Sequence, residues 1–160
     1  MQTYKTHKIP TKVLDPKCEE TIDIFPASFI GLLIGSQGSG KTHLLFNHIL
    51  KEKELLGKKF ALTIICSPSP FPDSDSVKKN NLFTNFDVNS LHERLYEANE
   101  NALNVKRKCD KPMEKFKILV VLDDLVTQIK TLEKDKQFND LLVLRRHCYS
   151  ELDISYIIVS

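Results

Sequence analysis

Two short stretches of this chain carry residue types that can do chemistry. The first, Gly35-Ser36-Gln37-Gly38-Ser39-Gly40-Lys41-Thr42, has the spacing Gly-x-x-x-x-Gly-Lys-[Ser/Thr]. Its glycines let the backbone curl until successive N–H groups converge on a concave anion site that a Cβ would obstruct. A helix starting at the lysine adds its own free N–H groups and positive dipole end. Lys41 supplies a mobile cation to the β- and γ-phosphates of a nucleotide, and the Thr42 hydroxyl a ligand for Mg²⁺. Average residue frequencies produce this pattern at ~4 × 10⁻⁵ per position, under about 1% for a chain of this length. Gly35 through Thr42 are therefore assigned to phosphate binding.

The second stretch is Ile118-Leu119-Val120-Val121-Leu122-Asp123-Asp124. An apolar strand ending in acid puts a carboxylate at the C-terminal edge of a parallel sheet, where open α/β sheets bind ligands. Asp123 would hold Mg²⁺ through a coordinated water. Asp124 would face the γ-phosphate and orient or deprotonate the attacking water, acting by position, since an ordinary Asp titrates near 3.9. Two acids there point to hydrolysis. A nucleotide kinase needs further arginines and a lid, which nothing in the chain clearly supplies. The guanine-reading Asn-Lys-x-Asp is absent, and Asp123-Asp124-Leu125-Val126 stands where a GTPase has Asp-x-x-Gly. No Leu-Ser-Gly-Gly-Gln marks a transporter ATPase. ATP is thus the nucleotide by elimination.

Such groups need a scaffold, and the hydrophobic pattern supplies one. The run Phe29–Ile34, stopped by Gly35, reads as a strand buried on both faces. Lys41–Lys53 has helical spacing, with Leu45 and Ile49 on one face, and Gly57 closes it. Phe60–Cys66 is a second strand, and Pro68, Pro70 and Pro72 open a long loop through Asn85. Ser90 with Glu93 forms a capping box ahead of the stripe Leu91, Leu95, Ala98 and Ala102. Phe116–Leu122 is a third strand, Asp135–Leu144 a helix and Ile154–Val159 a fourth strand. Alternating strands and helices predict an α/β domain with a mostly parallel sheet and flanking helices. Residues 1–28 form an irregular lead-in, with one short strand near Thr21–Ile24, and residues 29–160 form the core.

Composition bounds the rest. At 160 residues, 41% apolar and 28% charged, the chain is one domain and not a disordered one. Its apolar runs are far shorter than the ~20 residues of a membrane helix, and its N-terminus lacks an export signal. A net charge of +2 neither demands nor forbids a polyanion, although Lys106, Arg107, Lys108 and Lys111 cluster, as do Arg145 and Arg146. Cys18, Cys66, Cys109 and Cys148 show no metal-binding spacing and read as reduced thiols.

The chain resembles the DNA-packaging ATPases of large DNA viruses (poxvirus and giant-virus type), a branch of the FtsK–HerA superfamily of P-loop NTPases. Four features carry the likeness over residues 29–160: Gly38–Thr42, Cys66-Ser67-Pro68, Leu122-Asp123-Asp124, and Leu144-Arg145-Arg146-His147 ahead of Ile154-Ser155-Tyr156-Ile157-Ile158-Val159-Ser160. The resemblance implies a motor that hydrolyses ATP with Mg²⁺, works as a homo-oligomeric ring, and drives double-stranded DNA into a capsid, with a capsid component as partner. It implies the strand order cradle strand, last strand, Asp123 strand, second strand, which leaves Phe29–Ile34 at an open apolar edge. Arg146 and His147 match a family motif expected at a subunit interface or a phosphate. Localisation follows as host-cell cytoplasm, viral factory or virion, without membrane insertion. Relative to that family the chain is C-terminally incomplete, since a sensor and further strands follow there. A helicase loader or conjugation-type motor, and a non-catalytic nucleotide-binding fragment, are the alternative readings.

Overall fold

The computed structural model of the chain describes residues 28–45, 60–68, 82–109, 112–125 and 132–160. The lead-in, the short strand expected near Thr21–Ile24, the expected helix beyond Leu45, the turn at Gly57 and most of the loop after Ser67 lie outside the described residues. In chain order the elements are β1 (Ile30–Leu33), α1 (Lys41–Leu44), β2 (Leu62–Cys66), β3 (Leu82–Phe83), α2 (Val88–Arg107), β4 (Phe116–Asp123), α3 (Lys136–Val143) and β5 (Leu152–Val159). They build a sheet of order β1-β5-β4-β2-β3 in which every pairing is parallel. The last strand thus lies between the cradle strand and the acidic strand, as expected, with β3 added outside β2.

A parallel sheet gathers all its C-terminal strand ends on one edge. Register fixes which residues meet there: Leu33 pairs with Val159, Asp123 with Val159, and Cys66 with Leu122. Alternation along the strands sorts their side chains to two faces. One face carries Ile64, Ile118, Val120, Leu122, Ile154 and Tyr156, packed against Leu91 and Leu95 of α2 and Phe138 and Leu141 of α3. The other carries Ile65, Leu119, Val121, Ile157 and Val159 against Phe29 and Leu45. Each such side chain contributes roughly 1.5–3 kcal/mol by leaving water, and together they hold β4 and β5 as the rigid centre of the sheet.

Three expectations are corrected. β1 is not buried on both faces: Ile30, Leu32 and Ile34 are 41, 64 and 76% exposed. Their face continues that of Tyr156 and Ile158, but β1 is the edge strand of the described sheet and α2 and α3 pack over its centre. The cap of α2 is Asp87, not Ser90, whose backbone N–H and hydroxyl both donate to Asp87 Oδ2 at 2.9 Å. Those bonds hold the Asp87 carboxyl below its usual range. The helix starts one turn early because Val88 is itself buried in the core. The long loop is also interrupted by β3, which pairs Leu82 with Ile65 and Phe83 with Cys66. Asp135, read from sequence as the first residue of a helix, is the cap of α3, accepting from Phe138 N at 2.9 Å.

Candidate functional site

Residues 34–40 leave β1 as an exposed loop and lead into α1. Gly38 and Gly40 sit at φ 74° and 85°, the left-handed region in which a Cβ is strained. At Gly35 the constraint is space, since a Cβ there would come within 2.7 Å of Ser39 Oγ. The loop is closed by Ser39 N donating to Ser36 O at 3.1 Å, with Gln37 exposed at its bend. Lys41 folds back across it, its Nζ donating to Gly35 O at 2.7 Å and Ser36 O at 3.0 Å. Thr42 follows in the first turn of α1 and is exposed.

The acidic half of the site hangs on the same strand end as the loop. Gly35 N donates to Ser160 O at 3.1 Å, while Asp124 N donates to the neighbouring carbonyl, Val159 O, at 3.2 Å. The end of β5 therefore spaces Gly35 and Asp123–Asp124 by two strand separations, about 10 Å. That gap suits phosphate groups and a hydrated cation. Asp123 is 4% exposed, and burial first of all pushes its carboxyl up from the ordinary value. The Asp124 charge pushes the same way, whereas a hydrogen bond from Ser67 Oγ at 3.2 Å and the Lys41 charge pull it down. A buried carboxylate with so little compensation favours a cation beside it. Asp124 is exposed and takes φ 54°, a conformation uncommon outside glycine and tolerated best by Asp and Asn.

Asp123's burial gives a stability prediction. Its folded-state pKa lies above the unfolded one, so the native state binds the proton more tightly, and stability falls as pH rises through the folded value. The penalty is fully present near neutrality and disappears below the ordinary carboxylate range. Without Mg²⁺, Asp123→Asn is therefore expected to raise the melting temperature at about pH 7 by about 2–4 °C, on the order of 1 kcal/mol. The gain should shrink as the pH is lowered towards 4. Thermal melting at both pH values checks it, and a lower melting temperature at neutrality would contradict it.

Arg146 and His147 are not brought to this site. Arg146 precedes β5, and its Nη2 donates to Ser28 O at 3.3 Å, ahead of β1. Ser28 and Gly35 are seven residues apart along the extended chain that contains β1, roughly 20 Å, so neither Arg146 nor His147 touches a phosphate in this chain's own cradle. They stand at the N-terminal edge of the sheet with Lys115, whose Nζ donates to Arg146 O at 2.9 Å, and near the end of α2, where Lys106 pairs with Glu151 at 2.6 Å. Exposed Arg107 and Lys108 lie at the same end.

Two further contributors enter the sequence reading only within stretches that carry the family likeness, with no role assigned. Ser67, 1% exposed, is the donor to Asp123. Ser160 holds the start of the cradle from both sides, accepting from Gly35 N and donating its own N–H to Leu33 O at 3.0 Å. The available signal was positional: both are small polar residues one step beyond an apolar strand that ends beside the acids. The neighbouring Cys66 thiol is pushed up to about 12 by burial and offers no nucleophile.

A family model described as the NB-ARC domain matches residues 12–140, about four-fifths of the chain. The matched stretch contains Gly35–Thr42 and Asp123–Asp124 and stops before Arg146 and β5. No curated protein matches the chain.

Proposed function

This chain belongs to the NB-ARC domain family of P-loop NTPases, and from that premise we propose that it hydrolyses ATP. The reading rests on one observation: a single strand end ties Gly35 and Asp124 to adjacent carbonyls, Ser160 O and Val159 O. In this reading the loop N–H groups of Gly35–Thr42 take the β- and γ-phosphates. Lys41 Nζ exchanges Gly35 O and Ser36 O for phosphate oxygens, gaining charge-assisted bonds in place of neutral ones. Thr42 and Asp123 are the residues that would hold Mg²⁺, and the cation would supply neutralisation of the triphosphate charge. Asp124, displaced from the strand by its left-handed conformation, aligns a water with the γ-phosphorus and accepts its proton as the bond to the bridging oxygen breaks. ADP and phosphate leave.

The finer reading is a motor that packages double-stranded viral DNA, working as a ring on a capsid component. Its support is the resemblance in Leu144–His147 and the strand after it, together with the basic residues Arg107, Lys108, Lys115 and Arg146 at the sheet end remote from the cradle. The test is steady-state ATP hydrolysis with no DNA, single-stranded DNA and double-stranded DNA. Double strands are expected to stimulate turnover, and added salt to erase the stimulation. Stimulation by single strands alone would favour a loader or conjugation-type motor. Nucleotide binding without turnover would favour a non-catalytic module.

A further inference from the structure

Ser67 stands one residue beyond β2, and the parallel register that pairs Cys66 with Leu122 carries it opposite Asp123. Neighbouring strands lie about 4.8 Å apart, so residues in register share a face and meet side by side. The hydroxyl uses that proximity: Ser67 Oγ donates to Asp123 Oδ2 at 3.2 Å with both residues buried, 1% and 4% exposed. The serine is itself fixed, because its backbone N–H donates to Phe83 O of β3 at 2.9 Å. A carboxylate held through one oxygen by an anchored donor cannot swing freely about its last torsion. Its other oxygen, Oδ1, stays outside that bond.

We infer that Ser67 is a positioning residue for the cation of a bound Mg·nucleotide, acting through Asp123, an inference that rests on the hydrolase reading above. In this role it ligates neither the cation nor the nucleotide. Its hydroxyl orients the buried carboxylate, so that forming the cation site requires no rearrangement of Asp123. Outer partners of this kind typically change metal affinity by 10–100-fold when removed. Serine suits the position by size as well as chemistry. Alanine removes the donor, cysteine keeps the volume with a much weaker donor, and threonine keeps the hydroxyl.

The experiment is binding of a fluorescent ATP analogue to the full chain, titrated with Mg²⁺ and repeated without it, with Mn²⁺ binding read by paramagnetic resonance and folding checked by thermal melting. Ser67→Ala and Ser67→Cys are expected to raise the Mg²⁺ and Mn²⁺ concentrations at half-saturation on the order of 10-fold. Affinity for the analogue without metal should stay within about twofold, and Ser67→Thr should restore the metal dependence. If the threonine methyl disrupts folding, the comparison of wild type with Ser67→Ala and Ser67→Cys still decides. Unchanged metal half-saturation in a folded Ser67→Ala would overturn the inference, as would equal losses with and without metal, which mean only general packing. A wild-type chain with no Mg²⁺-dependent nucleotide binding would instead overturn the hydrolase reading, and this inference with it.

Discussion

Replacing Asp124 by asparagine is expected to lower kcat on the order of 10²–10⁴-fold, the usual contribution of a positioned base, while nucleotide affinity stays within about twofold. Asparagine is the informative substitution because of the backbone. At φ 54° this residue lies in the left-handed region, where an alanine would add roughly 1–2 kcal/mol of strain and asparagine is among the residues that tolerate it. Asn also leaves the Asp124 N–H bond to Val159 O in place, so the strand end keeps its geometry. What disappears is the anionic acceptor for the proton of water. Single-turnover hydrolysis together with equilibrium binding of a non-hydrolysable analogue separates the two effects. Wild-type turnover in a folded Asp124→Asn chain would remove the base role from this residue. Loss of affinity in the same proportion would place Asp124 in binding instead.

The parts of this molecule legible in its sequence are those fixed by local chemistry. Gly35–Thr42 is readable because few sequences curl a backbone round an anion, and the left-handed Gly40 is a glycine that the pattern requires, with Gly38 taking the same conformation at one of its open positions. β4 and β5 are legible because strands buried in the centre of a parallel sheet carry near-continuous apolar runs, here Ile118–Leu122 in β4 and Tyr156–Val159 in β5. The central position of β5 came from the likeness to a known family, since periodicity cannot order strands.

What escaped depends on tertiary placement. An apolar run such as Phe29–Ile34 has the same composition at an edge as at the centre, so its pattern alone misplaces it as buried on both faces; the edge position was implied only by the family likeness, and the exposure of Leu32 follows from that strand order. Asp87 and Ser90 both satisfy the chemistry of a helix cap; the burial of Val88, decided by the core, selects the earlier one. A strand of two residues, β3, has no periodicity to read. The role of Ser67, quoted from sequence only for the likeness, became visible when the register of β2 and β4 set it beside Asp123. Arg146 and His147 follow the same logic in reverse, since their types suit a phosphate and the direction of β5 carries them to the far edge.

Lys41→Met is expected to weaken nucleotide binding on the order of 100-fold, most strongly for triphosphates. Methionine keeps most of the aliphatic stem, so the change isolates the ammonium. Among the described residues that ammonium donates to two exposed carbonyls of its own loop, Gly35 O and Ser36 O, and neutral acceptors at a solvent-facing loop contribute about 1 kcal/mol each at most. Against phosphate oxygens the same donors form charge-assisted bonds of roughly twice that strength, and nothing else in Gly35–Thr42 carries a positive charge. The free variant should thus melt within a few degrees of wild type while its nucleotide-bound form loses most of its stabilisation. A second consequence reaches Asp123. Lys41 pulls that carboxyl down against burial, so its removal favours the protonated acid, and the metal-free variant should lose more stability than wild type as pH rises from 4 towards neutrality. Calorimetric titration with ATP, ADP and AMP, combined with melting over that pH range, tests both. Undiminished ATP affinity in a folded Lys41→Met chain would mean that the loop amides alone hold the phosphates, and would withdraw the lysine from the site.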